Sequence, residues 1–265
     1  MEGVRLTHIG GPTVLIEVGG WRILTDPTFD PPGERYSFGW GTSSVKLSGP
    51  AVSVEDLGPI DVVLITHDHH ADNLDIAGRA LLASVPRIVT TTSGAGRLGP
   101  PAIPLATWGS TVFEGPDLPA IEVTATPCRH GPPLSHPITG DVIGFALRWD
   151  GQTDGVLWIS GDTVLYDGVR QVADRLVVET AIVHVGAVRF PITGPLHYTM
   201  TIHDAVELCE QIGPKTVIPV HYEGWSHFRE DRSAVEQLVA GRGQGDRPVY
   251  RLLPFGEAVD LSEVG

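Results

Sequence analysis

The chain has 265 residues, 42% of them hydrophobic, enough to bury a sizeable core, and a formal charge of −14 with only two lysines, Lys46 and Lys215. No basic cluster is present to follow a phosphate backbone or an anionic lipid surface, so neither nucleic acid nor membrane is an expected partner. There is no run of about 18 apolar residues and no charged leader with an apolar core. Two cysteines, Cys128 and Cys209, make no disulfide scaffold, and the expectation is a cytoplasmic protein.

In chain order, "VRLTHIG", "TVLIEV" and "WRILTD" read as short strands separated by glycine-containing turns. Residues 26–60 form a long segment rich in Pro, Gly and Ser that carries Tyr36, Phe38 and Trp40. It is either a flap over a pocket or a surface loop pinned by its own aromatics. "DVVLIT" is a continuous apolar run, the mark of a strand buried on both faces. Leu74, Ala77, Leu81 and Val85 share one face of a helix expected over 72–85. "RIVTT", "STVFEG", "AIEVTATPCRH", "VIGFALRWD" and "GVLWISGD" read as strands, followed by a helix over 165–176. "TAIVHVG" is another buried strand. A helix over 202–212 stops at Gly213-Pro214, "KTVIPVH" is a strand, residues 229–241 are helical, and "VYRLLPFGEAVDL" reads as a final strand pair. The class is α/β, with large sheets covered by helices, in one domain over 1–265.

The polar residues fall at strand ends. "VVLIT" ends at His67, "IEVTATPCR" at His130, "VLWISG" at Asp162 and "TVIPV" at His221. Sites in α/β proteins are built where rigid sheet meets open loop. Imidazole nitrogen and carboxylate oxygen are the donors zinc takes, at about 2.0–2.2 Å, and a carboxylate can bridge two ions. His67 and His69, at i and i+2, point the same way from an extended segment. Asp72 could face a second ion. Taken singly, each residue has a plainer reading: Asp72 or Asn73 as a helix cap, His130 and Asp162 as turn residues, His221 as a hydrogen-bonded core residue. Together they point to a metal site.

The set resembles the metallo-β-lactamase superfamily of metal-dependent hydrolases, in the branch that includes ascorbate-phosphate lactonase and N-acyl-phosphatidylethanolamine phospholipase D. The resemblance rests on "GPTVLIEVGGWRILTDP", "HDHHADN", His130, "GDT" at 161–163, "DAVEL" at 204–208 and "PVH" at 219–221, in that order along nearly the whole chain. It implies a four-layer αβ/βα sandwich, mixed sheets with helices on the outer faces, and a metal site at one edge between the sheets. It implies His67, His69 and His130 on a first metal, Asp162 as a bridge, and Asp72 and His221 on a second. The chain departs from the family's H-x-H-x-D-H. One residue is inserted and Asn73 stands where the pattern has histidine, so Asn73 or His70 is the candidate to complete the site. One or two divalent ions are expected, zinc first, with manganese or iron as alternatives.

The reaction this implies is hydrolysis. Water held by the metal loses its proton near neutral pH and attacks a small-molecule ester, lactone, amide or phosphodiester, with Asp72 and Asp162 as the catalytic carboxylates. Arg189, His197, Tyr198, Tyr222 and Trp225 are the candidates for the substrate pocket, Arg189 suiting a carboxylate or phosphate. His184 reads as a hydrogen-bonded core histidine and His8 as structural, while His136, His203 and His227 read as surface residues. Two other classes of function use the same residues: a mononuclear or iron-dependent redox enzyme, and a non-catalytic metal-binding module with a decayed second site.

Overall fold

The computed structural model describes residues 3–39, 41–243 and 246–261, so Trp40 lies outside the described residues. Strands β1 (Arg5–Gly10), β2 (Thr13–Val18) and β3 (Trp21–Thr25) form an antiparallel meander. A separate hairpin follows, β4 (Arg35–Gly39) and β5 (Thr42–Val45). After helix α1 (Val54–Leu57), strands β6 (Val62–Leu64), β7 (Ile88–Thr91) and β8 (Ala102–Leu105) extend β3 in parallel, with α2 (Ile76–Leu81) and α3 (Thr92–Leu98) in the crossovers.

The second sheet begins antiparallel, with β9 (Ser110–Gly115), β10 (Leu118–Pro127), β11 (Ile143–Trp149) and β12 (Val156–Ile159), and α4 (His136–Thr139) between β10 and β11. It continues in parallel through β13 (Val178–His184), β14 (Thr216–Val220) and β15 (Val249–Tyr250). The connections here carry α5 (Asp167–Arg175), α6 (Ile202–Ile212) and α7 (Arg232–Ala240). β16 (Ala258–Asp260) returns to pair with β1. The tail is therefore not a hairpin, because its two strands finish different sheets.

Alternation along the strands builds the layers. In β12, Leu157 and Ile159 enter the core between the sheets while Trp158 faces the helices. Ile182 and Ile218 do the same beside Val183 and Val217. The inner core joins Leu6, Ile16 and Leu64 of one sheet to Val123, Phe145 and Ile159 of the other. Outside the second sheet, Val169, Val172, Ala205 and Leu208 of α5 and α6 cover it. Outside the first, Leu15, Leu24, Val63 and Ile65 meet Leu57 and Leu82. The order is helix, sheet, sheet, helix, and each fully buried aliphatic contributes roughly 1.5–3 kcal/mol.

The helix expected from residue 72 starts at Ile76, and its N-cap is Asp75, whose Oδ1 accepts the Gly78 N–H at 2.8 Å. Residues 70–75 remain a turn, which frees Asp72 and Asn73 from capping. Gly78 is required here, because a Cβ would sit 1.9 Å from the Pro27 carbonyl oxygen. The 26–60 segment is anchored. Lys46 Nζ lies 2.7 Å from Asp75 Oδ2, both side chains buried, and the Tyr36 hydroxyl donates to Asp30 Oδ2 at 2.6 Å. Asp30 in turn accepts the Ile76 and Ala77 N–H groups, tying the hairpin to α2.

Candidate metal centre

The strand ends converge at one edge of the sandwich. Below this edge, Asp26 accepts the Thr66 N–H at 2.7 Å and the Thr66 hydroxyl at 3.0 Å. With its proton given to Asp26, Thr66 Oγ1 is left to accept from His67 Nδ1 at 3.2 Å and from Asn73 Nδ2 at 3.3 Å. His67 therefore presents a bare Nε2, buried and without a partner. Asp26 stands directly after the buried strand β3, and that position is the one trace of this role in the sequence.

His67, His70 and His130 form one group, with ligand atoms all within 4.8 Å of one another. His130 Nδ1 donates to the Tyr198 carbonyl at 2.7 Å, which leaves Nε2 unprotonated, an acceptor 3.2 Å from His70 Nδ1. The extended geometry expected of 67–69 does not form. The chain bends through residues 68–70 before the turn closed by the Asn73 and Leu74 N–H groups on the His70 carbonyl, and it is His70, not His69, that joins His67. His69 points away, its Nδ1 3.7 Å from Asp68 and 3.4 Å from Arg97, its ring against Gly140. The bidentate Arg97–Asp68 pair holds this outward turn.

Asp162, His184 and His221 form a second group of the same span. His184 Nδ1 donates to Asp162 Oδ1 at 2.9 Å. His184 is buried and hydrogen-bonded as expected of a core histidine, but its partner is a site carboxylate. Asp162 Oδ2 lies 3.4 Å from His221 Nε2, which is also 3.6 Å from Asp72 Oδ2. His221 has φ +60°, a strained conformation for a branched ring side chain, held by its N–H on Gly11 O at 2.9 Å. His8 Nε2 donates to that same Gly11 carbonyl at 3.0 Å. His227, read as a surface residue, is buried, with Nε2 3.0 Å from Asp72 Oδ2. The hairpin β4–β5 covers it, Phe38 standing edge-on at 5.4 Å.

Burial holds the His67 imidazole well below its ordinary pKa and lowers that of His70 to about 4. Both rings are therefore in the neutral form a cation binds. Burial opposes charge on His221 as well, but Asp162 and Asp72 outweigh it and raise that pKa to about 9. For Asp72, burial pushes upward, yet the contacts with His221 and His227 bring the carboxyl well below the usual range. The buried atoms His67 Nε2, His70 Nε2, Asp72 Oδ1, Asp162 Oδ2, His184 Nε2 and His221 Nε2 have no hydrogen-bond partner. Leaving this many buried polar atoms unmatched costs about 1–3 kcal/mol each, and a divalent cation is the species that satisfies bare nitrogens and carboxylate oxygens together. The donor set fits one.

A cavity of about 40 Å³ opens beside both groups, lined by Phe38, Ile138, Val188, Phe190 and Tyr198 together with His70, Asp72 and His130. Of the expected pocket residues, Tyr198 lines it. Trp225 backs Phe38, with ring centroids 6.1 Å apart. Tyr222 is buried in the core beneath the helices. Arg189 and His197 are half-exposed and do not line the cavity. His136 and His203 are exposed, as expected.

Residues 21–222 match the family model of the beta-lactamase superfamily domain. The chain is 26% identical, over 97% of its length and all of the relative, to a UPF0173 metal-dependent hydrolase of Pelotomaculum thermopropionicum. It is 28% identical to a UPF0173 metal-dependent hydrolase of Methanoregula boonei, over 97% of this chain and 98% of that one. Among solved structures, an isothiocyanate hydrolase from Delia radicum gut bacteria shares the fold, with a TM-score of 0.77 at 21% identity over 97% of this chain and 98% of that one. Among the described residues, no helix is long and apolar enough to cross a membrane.

Proposed function

On the premise that the chain belongs to the beta-lactamase superfamily domain family, we propose that it is a metal-dependent hydrolase of small, neutral, largely apolar esters, lactones or amides. The observation that carries this reading is the convergence of imidazole nitrogens and carboxylate oxygens, most without a hydrogen-bond partner, from the ends of β6, β10, β12 and β14 beside an apolar cavity. His67, His70 and His130 would hold one cation; Asp72, Asp162 and His221 would hold the other. Three imidazoles suit zinc, while the carboxylate-richer group also suits manganese or iron. A bound divalent ion supplies an acidified water and an electrophile for the scissile carbonyl.

The chain's own groups do the rest. Tyr198 and Thr66 hold His130 and His67 in the tautomer that presents Nε2 inward. His184 fixes one oxygen of Asp162 and aims the other at the site. Asp72 faces the cavity with Oδ1 unpartnered, placed to take a proton from the attacking water and pass it to the leaving group. Among the described residues, no lysine or arginine lines the cavity, which disfavours a carboxylate or phosphodiester substrate.

The test is turnover of aryl esters, lactones, acyl amides and bis-aryl phosphodiesters, before chelation, after it, and after cations are restored. Hydrolysis of the neutral carbonyl substrates should stop on chelation and return on restoration. Activity indifferent to full cation removal would refute the hydrolase reading. A preference for the phosphodiester would refute the substrate reading.

A further inference from the structure

We propose that His227 supplies the second cation site with the imidazole that Asn73 lacks, acting as a ligand beside Asp72 and His221. The inference rests on the metal reading above and assigns within it a residue from outside the strand ends. Asn73 Nδ2 donates to Thr66 behind His67, so Asn73 has only its amide oxygen to offer, a poorer ligand than imidazole. The segment after β14 reaches over the edge instead. Gly224 turns it with φ +91°, and Arg189 N–H holds the His227 carbonyl at 3.3 Å. The His227 ring stands among Phe38, Phe190 and Phe228, stacked on Phe190 at 5.4 Å.

A structural histidine in such a cage would use its nitrogens for hydrogen bonds. His227 uses neither, although both are buried. Nε2 lies 3.0 Å from Asp72 Oδ2, and the same oxygen is 3.6 Å from His221 Nε2. Donors at about 2.0–2.2 Å from one ion, at tetrahedral to octahedral angles, are roughly 2.8–3.6 Å apart. The spacings of Asp72 with His221 and His227, and the 3.4 Å between His221 and Asp162, all fall in that range. The aromatic cage adds no competing donor and fixes the ring, as neighbours of a ligand must.

The test is titration of cation-free protein with Zn²⁺ and with Co²⁺, comparing the wild type with His227→Gln. Glutamine keeps a polar contact with Asp72 but is a poor zinc ligand. The wild type should take up two cations. The variant should keep the tighter one and bind the second at least about 100-fold more weakly, with altered Co²⁺ visible absorption. Equal second-site affinity in the variant would overturn the proposal and leave His227 a mere companion of Asp72. Uptake of a single cation by the wild type would also overturn it. Uptake of none would refute the metal reading itself. Should the variant fail to fold, as judged by circular dichroism, ¹⁵N-labelled wild type loaded with ¹¹³Cd²⁺ decides. Scalar coupling to a ring nitrogen of His227 is expected, and coupling to His221 alone would overturn the assignment.

Discussion

Nδ1 of His70 lies 3.2 Å from Nε2 of His130, although sixty residues separate them along the chain. His69, one residue before His70, is turned outward to Asp68 and Arg97. A first cation held by His67, His70 and His130 should therefore be lost or greatly weakened in His70→Ala and retained in His69→Ala. Elemental analysis of the two purified variants distinguishes them, and the reverse pattern would restore the H-x-H reading.

Asp26 supports the site from beneath. Replacing it with alanine leaves the buried Thr66 N–H without its acceptor and releases the hydroxyl that orients His67. A loss of about 1–3 kcal/mol in stability is expected, seen as a lower midpoint in thermal unfolding, together with weaker binding of the first cation. Unchanged cation affinity in Asp26→Ala would show that Thr66 does not position His67.

The Arg97–Asp68 pair should appear in the pH dependence of stability. Burial raises the Asp68 pKa, but the guanidinium of Arg97 outweighs it, so the folded value lies below the ordinary 3.8. A depressed acid contributes its full stabilisation above the unfolded pKa and loses it as pH falls through the folded one. Arg97→Ala should thus be less stable than wild type near pH 6, by of order 1 kcal/mol given the partial exposure of the guanidinium. The gap should begin to narrow below pH 3.8 and close only once pH has fallen through the lower folded value, where Asp68 is protonated in both states. Unfolding midpoints across pH 2.5–6, an interval set by that linkage, would show a constant gap if the pair contributed nothing.

The cavity predicts selectivity. Phe190→Ala enlarges an apolar wall and should raise KM for a neutral aryl ester by about 10-fold or more, with kcat less affected. Arg189→Ala should leave kcat/KM within about twofold, because Arg189 does not line the cavity. A large loss on removing Arg189, confined to anionic substrates, would reassign it to the pocket.

Much of this was legible because a buried strand leaves a long apolar trace. His67, His130, Asp162 and His221 each close such a run, and the layered α/β class follows from the same runs. The choice between His69 and His70 was not legible, since both fit a polar turn. What decides it is Arg97, brought to Asp68 by α3. His227 sits in "EGWSHFRE", polar on its face, and its burial comes from a hairpin some 190 residues earlier in the chain, carrying Phe38. His184 read correctly as a hydrogen-bonded core residue, but its partner Asp162 comes from the neighbouring strand, and no spacing in the sequence shows that pairing.

Divalent cations held at this edge of the sandwich, on the imidazoles and carboxylates it brings together, would be counted by elemental mass spectrometry of protein purified without chelator or added metal, beside Asp162→Asn prepared identically. Close to two zinc, manganese or iron ions are expected in the wild type, with loss of at least one in the variant together with turnover. A wild type that holds none and takes up none on titration, or an Asp162→Asn protein with full content and full activity, would contradict this expectation.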